Sequence, residues 1–446
     1  MHGEPASVSH VIFGLPPLLV SLAIFVATYA IVISEKLNRA VIAALGAGLM
    51  ILSGVLTQLE AVHGIDFNTI GLLTAMMVIV AITQKTGVFQ YVAIVAAKRV
   101  KADPWGLLVM MAVVTAVFSA FLDNVTTVLL VTPVILLITE ALGVPPYPYL
   151  FTVIFASNIG GTATLIGDPP NIMIGSAANL SFNTFLLHLT PVVLVVFAAT
   201  LLPIWLVWGR TLRATPEARA QVMAFDEKSA ITDPRLLKQA LAVIGAVIFG
   251  FMSAHPLHLE PATIAGFGAA LLLTLQVVRH DAEHQTEEVA HALREIEWVT
   301  IFFFVGLFVV VTGIEKAGAL KLMADWIVAA TQGDYKATAM AILWVSAVLS
   351  AVVDNIPFVA TMIPVIQNMA PTFGADNLLP LWWALSLGAC LGGNGTLVGA
   401  SANLVVAGFA ERAGQPIRFK TFLLMAFPLM LMSIAISTVY LYLRYL

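Results

Sequence analysis

The segments FLDNVTTVLLVTPV (residues 121–134) and VVDNIPFVATMIPV (residues 352–365) each place an acid and an amide, Asp123-Asn124 and Asp354-Asn355, inside an otherwise almost wholly apolar run. An ionised Asp at mid-bilayer costs about 3 kcal/mol on insertion scales, so an acid kept there is a functional candidate. It can cap the helix that begins beside it, and a capping carboxylate that also faces a cavity can hold a cation or a proton. Asn124, Thr126, Thr127, Asn355 and Thr361 supply neutral oxygens close to the two acids. Carboxylate, carbonyl and hydroxyl oxygens are the ligands of hard cations, which makes Asp123, Asn124, Asp354 and Asn355 candidate Na⁺ ligands. For the threonines, ordinary helix packing in lipid is the competing use.

A second pair of segments, SNIGGTATLIGDPPN (residues 157–171) and ACLGGNGTLVGASAN (residues 389–403), breaks its own helices. Paired glycines weaken a helix and proline removes a donor. Discontinuous spans expose helix ends and free carbonyls at the midplane, where transporters bind ions and solutes. The candidates here are Asn158, Gly160, Gly161, Thr162, Thr164, Asp168 and Asn171 in the first copy, and Gly393, Asn394, Thr396 and Asn403 in the second. Close packing around small residues is the alternative for the glycines. Asp168 aligns with Ala400 and Asn158 with Cys390, so the two copies differ chemically. Asp168 is either a third titrating acid or the residue that fixes the Pro-Pro turn. Cys390, a single thiol, is read as a packing residue rather than a ligand.

The elements that position these residues must lie in a membrane. The chain is 60% hydrophobic and only 10% charged, against roughly a quarter charged in soluble domains, and its mean hydropathy is +0.97. Apolar runs near 11–33, 40–58, 68–84, 147–179, 188–209, 236–254, 262–278, 298–314, 379–410 and 421–443 predict ten spans. The first is read as a retained span, since no Lys or Arg precedes it. Regions 105–142 and 337–370 are interrupted by the Asp-Asn pairs, and neither half of either region reaches a comfortable crossing length; they predict re-entrant hairpins. Residues 210–235 predict a cytoplasmic linker with little structure of its own. The stretch from Arg279, with His280, Asp281, Glu283, His284 and His291, predicts a solvated amphipathic helix rather than a metal site.

Internal symmetry ties the parts together. Asp123 and Asp354, Asn124 and Asn355, Lys85 and Lys316, Gly87 and Gly318, and Pro133 and Pro364 all stand 231 positions apart. The chain therefore divides into repeat 1 (1–209), the linker and repeat 2 (236–446), each with five spans and one hairpin. Five is odd, so the second copy enters from the opposite side, the inverted-repeat pattern of secondary transporters. Of the 21 basic residues, seventeen fall in predicted cytoplasmic loops and four outside. That bias predicts external termini, with the first hairpin entering from the cytoplasm. No phosphate-binding loop is present, so ATP is not the expected energy source. Basic residues form no single patch, which argues against nucleic acid. No Lys or Arg is expected at mid-span.

The segments SAFLDNVTT, NIGGTATLIGDPPN, VVDNIPFVATMIPV and GACLGGNGTLVGASANLVVAG resemble the signature segments of the ion transporter superfamily. The branch they resemble holds the melanosomal P protein, arsenite permeases and bacterial sodium/proton antiporters. The resemblance implies an all-α, inverted-repeat, elevator-type transporter of the bacterial inner membrane, homodimeric, using H⁺ and Na⁺ as coupling ions and no other cofactor. Dicarboxylate carriers of the superfamily carry serine where Asp123 and Asp354 stand, and an acid there favours cation/proton antiport. The other readings are an ion-coupled carrier of arsenite, antimonite or a small anion or dicarboxylate, and an anion channel.

Overall fold

The computed structural model describes residue 11 and residues 14–34, 36–257, 259–278 and 281–446, and among these the chain is helical without a strand. The first half contains α1 (Pro17–Ser34), α2 (Arg39–Leu52), α3 (Gln58–His63), α4 (Phe67–Lys85), α5 (Val88–Arg99), α6 (Pro104–Phe121), α7 (Asn124–Leu142), α8 (Tyr147–Thr162), α9 (Pro169–Ala178) and α10 (Phe182–Ile204). The short α11 (Pro216–Met223) precedes α12 (Pro234–Leu257), α13 (Pro261–Val277), α14 (Ala282–Arg294), α15 (Trp298–Lys316), α16 (Ala319–Ala330) and α17 (Tyr335–Ser350). The chain closes with α18 (Asn355–Gln367), α19 (Ala370–Phe373), α20 (Leu379–Gly392), α21 (Ser401–Arg412) and α22 (Phe419–Arg444).

Local chemistry sets these boundaries, and it does so twice. Asp103 accepts from the Gly106 N–H at the start of α6, and Asp334 from the Ala337 N–H at the start of α17. Asp123 caps α7 and Asp354 caps α18 in the same way. Ahead of α5 and α16, Gly87 and Gly318 take φ of +76° and +87°, a conformation that favours glycine.

Three expectations are corrected. Helices α6 and α7 have 18 and 19 residues, and both are among the eight described helices long and apolar enough to cross a membrane. The expectation that each hairpin half falls short of a span therefore fails for the first hairpin, because α7 runs on through Pro133. The halves of the second are shorter, at 16 and 13 residues, and α18 stops three residues after Pro364. Residues 88–99 and 319–330, left outside every predicted span, form the helices α5 and α16. The linker also carries structure. Thr215 caps α11, Pro216 occupies its first turn and Val222 is buried, while Arg219 donates to the Lys101 carbonyl at 3.2 Å. The amphipathic helix expected after Arg279 is α14, capped by Asp281; His280 lies outside the described residues, as do residues 1–10 at the N-terminus.

The helices pack as two bundles. One holds α1, α2, α4, α12, α13 and α15; the other holds α5 to α10, α16 to α18 and α20 to α22. Within the first, α2 packs along α15 and α13 packs along α4; within the second, α7 meets α21 and α18 meets α9. Each half thus packs its elements against the other half. Lys316 pairs with Glu60 of the first half, and its counterpart Lys85 pairs at 2.9 Å with Glu288 of the second.

Crossings inside the second bundle are close enough to need glycine. A Cβ on Gly160 would stand 2.2 Å from the Ala116 carbonyl oxygen of α6, and one on Gly392 would stand 2.6 Å from that of Ala347 in α17. Close backbone approach of this kind drives helix association in lipid. Gly160→Ala is expected to destabilise the protein by at least about 1–3 kcal/mol, read as a lower unfolding temperature in detergent. An unchanged temperature would show that α6 and α8 separate freely.

Candidate functional site

Asp123 and Asp354 stand where the second helix of each hairpin begins, because a carboxylate that accepts backbone N–H bonds starts a helix there. Asp123 accepts from the Thr126 N–H at 2.8 Å and from the Thr126 hydroxyl. Asp354 accepts from the Ile356 N–H at 3.3 Å. The next residue of each tip, Asn124 or Asn355, is buried and turns toward the break between α8 and α9.

Both tips meet one carboxylate. Asp168, fully buried ahead of α9, makes no capping bond with its side chain. Its Oδ1 accepts from Asn124 Nδ2 at 3.2 Å and from Asn355 Nδ2 at 3.4 Å. Asp168 is therefore the joint between the two hairpins. The Asn124 amide also donates to Asn158 Oδ1 at 3.2 Å. A carboxylate only accepts, so Asn124 must present its NH₂ group to it, and its own Oδ1 is left buried without a partner. An orphaned buried acceptor is uncommon and calls for an explanation.

Asn124 also lines a cavity of about 20 Å³, together with Asp123, Asp168, Asn355, Glu297, Thr300, Arg39, Ser401 and apolar side chains. A water needs about 10–15 Å³, so the space holds one small ion or water. Among the described residues no three His, Cys, Asp or Glu side chains converge closely enough to hold a metal ion. The donor set of carboxylate, amide and hydroxyl oxygens is one that suits a hard cation.

Around this centre the other candidates brace the breaks. Asn158 donates to Asn394 and Asn403 at 3.0 and 2.9 Å. Asn171 clamps the carbonyls of Thr162 and Thr164, and Asn403 clamps those of Gly393 and Thr396. The Thr164 hydroxyl donates to the Ala120 carbonyl, and the Thr396 hydroxyl to that of Ala351, fastening each break to its hairpin. The Thr162 hydroxyl bonds back to the Asn158 carbonyl at 2.7 Å, and Thr127 is buried with its hydroxyl unpartnered. Cβ atoms on Gly161 and Gly393 would meet the carbonyls of Gly167 and Gly399 at 2.4 and 3.0 Å, which are packing contacts. Cys390 is buried against Asn171.

Thr361 is not brought to the cavity. Its hydroxyl pairs with the Tyr29 hydroxyl at 2.8 Å and donates to the Pro357 carbonyl at 3.0 Å, so it joins α18 to α1. Four polar residues that sequence reasoning missed, Arg39, Glu297, Thr300 and Ser401, line the site. Glu297 accepts from Thr300 at 3.1 Å on the cavity wall. Arg39 donates to Asp354 Oδ2 at 3.0 Å, and so does Ser401 at 2.8 Å. Arg39 lies just before the predicted span 40–58, where hydropathy alone makes it a loop cation. It is the first residue of α2, a helix of only 14 residues capped by Asn38.

Many long apolar helices in two bundles, with two broken helices enclosing buried carboxylates and amides, define an integral membrane transporter. The chain belongs to the citrate transporter family (CitMHS), whose model matches residues 29–388. It is 41% identical over 433 residues to an uncharacterized transporter of Mycobacterium bovis, covering 96% of this chain and 98% of that one. Similarity to the human P protein is 34% over 506 residues, covering 95% of this chain but only 59% of the relative. Among solved structures it resembles the YdaH transporter of Alcanivorax borkumensis, with a TM-score of 0.59 at 16% identity, covering 96% of this chain and 98% of that one. MtrF of Neisseria gonorrhoeae, described as one of a class of antimetabolite efflux pumps, gives 0.56 at 11% identity, covering 98% and 96%. Identities this low speak for the fold alone.

Proposed function

We propose that the protein is a secondary active transporter of the bacterial inner membrane that exchanges a monovalent cation, Na⁺ foremost, for protons at the site of Asp123, Asn124, Asp168 and Asn355. The observation that carries this reading is the space of about 20 Å³ lined by Asp123, Asn124, Asp168 and Asn355, with the Asn124 side-chain oxygen left unpartnered. In this reading a cation is held there by the carboxylates, and a proton on a carboxylate takes the cation's place. In this reading the halves are inverted repeats, and the bundle holding both hairpins moves as an elevator against the bundle of α2, α4, α13 and α15. The exchanged packing of the halves supports that division. The termini lie outside the cell, and the protein works as a homodimer.

One observation favours a second reading, transport of a small anion. Arg39 borders a larger recess of about 370 Å³ together with Asp354 and Ser401, and a guanidinium there suits a carboxylate. The family's name points the same way.

The deciding experiment uses the purified protein in liposomes with an internal pH dye and an imposed pH gradient. Na⁺, Li⁺, K⁺, chloride, succinate, citrate and arsenite are added in turn. Collapse of the gradient by Na⁺ or Li⁺ alone is the expected result. A response to citrate or succinate with silence to cations would replace it with the anion reading.

A further inference from the structure

We propose that Arg39 is a built-in counter-cation for Asp354, so that of the two matching acids only Asp123 trades a cation with solution. The inference rests on the exchange reading above and assigns its stoichiometry: one cation-exchanging hairpin rather than two.

The two acids share a motif but not an environment. Arg39 Nη1 lies 3.0 Å from Asp354 Oδ2 and 2.6 Å from Ser401 Oγ, and the Ser401 hydroxyl itself donates to Asp354 at 2.8 Å. Nη2 donates to Thr300 at 3.1 Å, and the guanidinium lies 5.1 Å from the centre of the Phe303 ring. Four partners thus fix the position of this cation. A guanidinium does not lose its proton, so Asp354 keeps a positively charged partner, and an entering Na⁺ or H⁺ would have to displace it.

Among the described residues no basic side chain pairs with Asp123. Its carboxylate takes hydrogen bonds from Thr126 of its own helix, and the charged residues that share its cavity are the acids Asp168 and Glu297, the latter just ahead of α15, and Arg39, whose guanidinium donates to Asp354, Ser401 and Thr300 instead. The helix equivalent to α2 in the second half is α13, PATIAGFGAALLLTLQV, which carries no basic residue. The sequence therefore supplies a tethered cation to one hairpin and leaves the other to be filled from outside. Arg39 sits on the bundle opposite the hairpins, so the pair also ties the two bundles together while it lasts.

The test compares the full-length wild type with Asp354→Asn, Arg39→Gln, the double variant and Asp123→Asn in the liposome assay. Removing one partner leaves the other half-buried and unpaired, so Asp354→Asn alone is expected to lose about tenfold in cation-driven proton movement. The double variant removes both charges and is expected to return to within about threefold of wild type. Arg39→Gln alone frees a second carboxylate, and its dependence on cation concentration should turn from hyperbolic to sigmoidal. A double variant as silent as Asp123→Asn, or an Arg39→Gln curve that stays hyperbolic, would overturn the assignment. Unfolding temperatures of the same set test the pair without transport: shifts of the two single variants that simply add in the double variant would reject it. If the wild type ignores cations, the exchange reading fails, and this thermal cycle still decides whether Arg39 and Asp354 act as a pair.

Discussion

Asp123→Asn is expected to abolish cation-driven proton movement while leaving the fold in place. Asparagine caps helices about as well as aspartate, so the bond from the Thr126 N–H at 2.8 Å has an acceptor in the variant and α7 still starts at Asn124. What disappears is the charge. With it goes the group that holds the cation or takes up the proton in the proposed exchange, so cation-driven proton movement should fall to the level of protein-free liposomes. The unfolding temperature should move little, and that separates a lost ligand from a lost fold. Wild-type exchange in this variant would remove Asp123 from the mechanism.

Asp168→Ala is expected to harm both transport and stability, because Asp168 serves both hairpins. Its Oδ1 accepts from Asn124 at 3.2 Å and from Asn355 at 3.4 Å. Alanine leaves the Asn355 amide buried without its acceptor, at about 1–3 kcal/mol, while the Asn124 amide keeps Asn158. The expected result is a destabilisation of about 1–3 kcal/mol, together with loss of cation-driven proton movement. Asp168→Asn keeps an oxygen that can accept from one tip and should fall between alanine and wild type in stability. A variant Asp168→Ala of unchanged stability would mean that the tips do not depend on this joint.

These two expectations draw unequally on sequence and structure. Asp123 was legible as a candidate because an acid inside an apolar run is costly, and its return 231 positions later made chance a poor account. Asp168 was legible only as an alternative: a turn residue before Pro169-Pro170 or a third acid. Its contact with both tips joins residues 44 and 187 positions away, and no local pattern encodes such distances. Arg39 was counted with the loop cations because hydropathy sees only its neighbours. Thr361 read as a site residue because it follows the motif closely, yet α18 turns it toward Tyr29.

By itself the sequence determined that the chain lies in a membrane, that its halves correspond, and where most helices begin and break. Those properties follow from hydropathy, Asp caps, glycine and proline, each acting within a few residues. Tertiary structure alone decided which polar groups share a cavity and which acid already has its cation. Arg39 and Asp354 are 315 residues apart, and they meet because α2 packs along α15 and the tip of α18 abuts that bundle. The two copies of one motif thus acquire different chemistry from the helices packed against them.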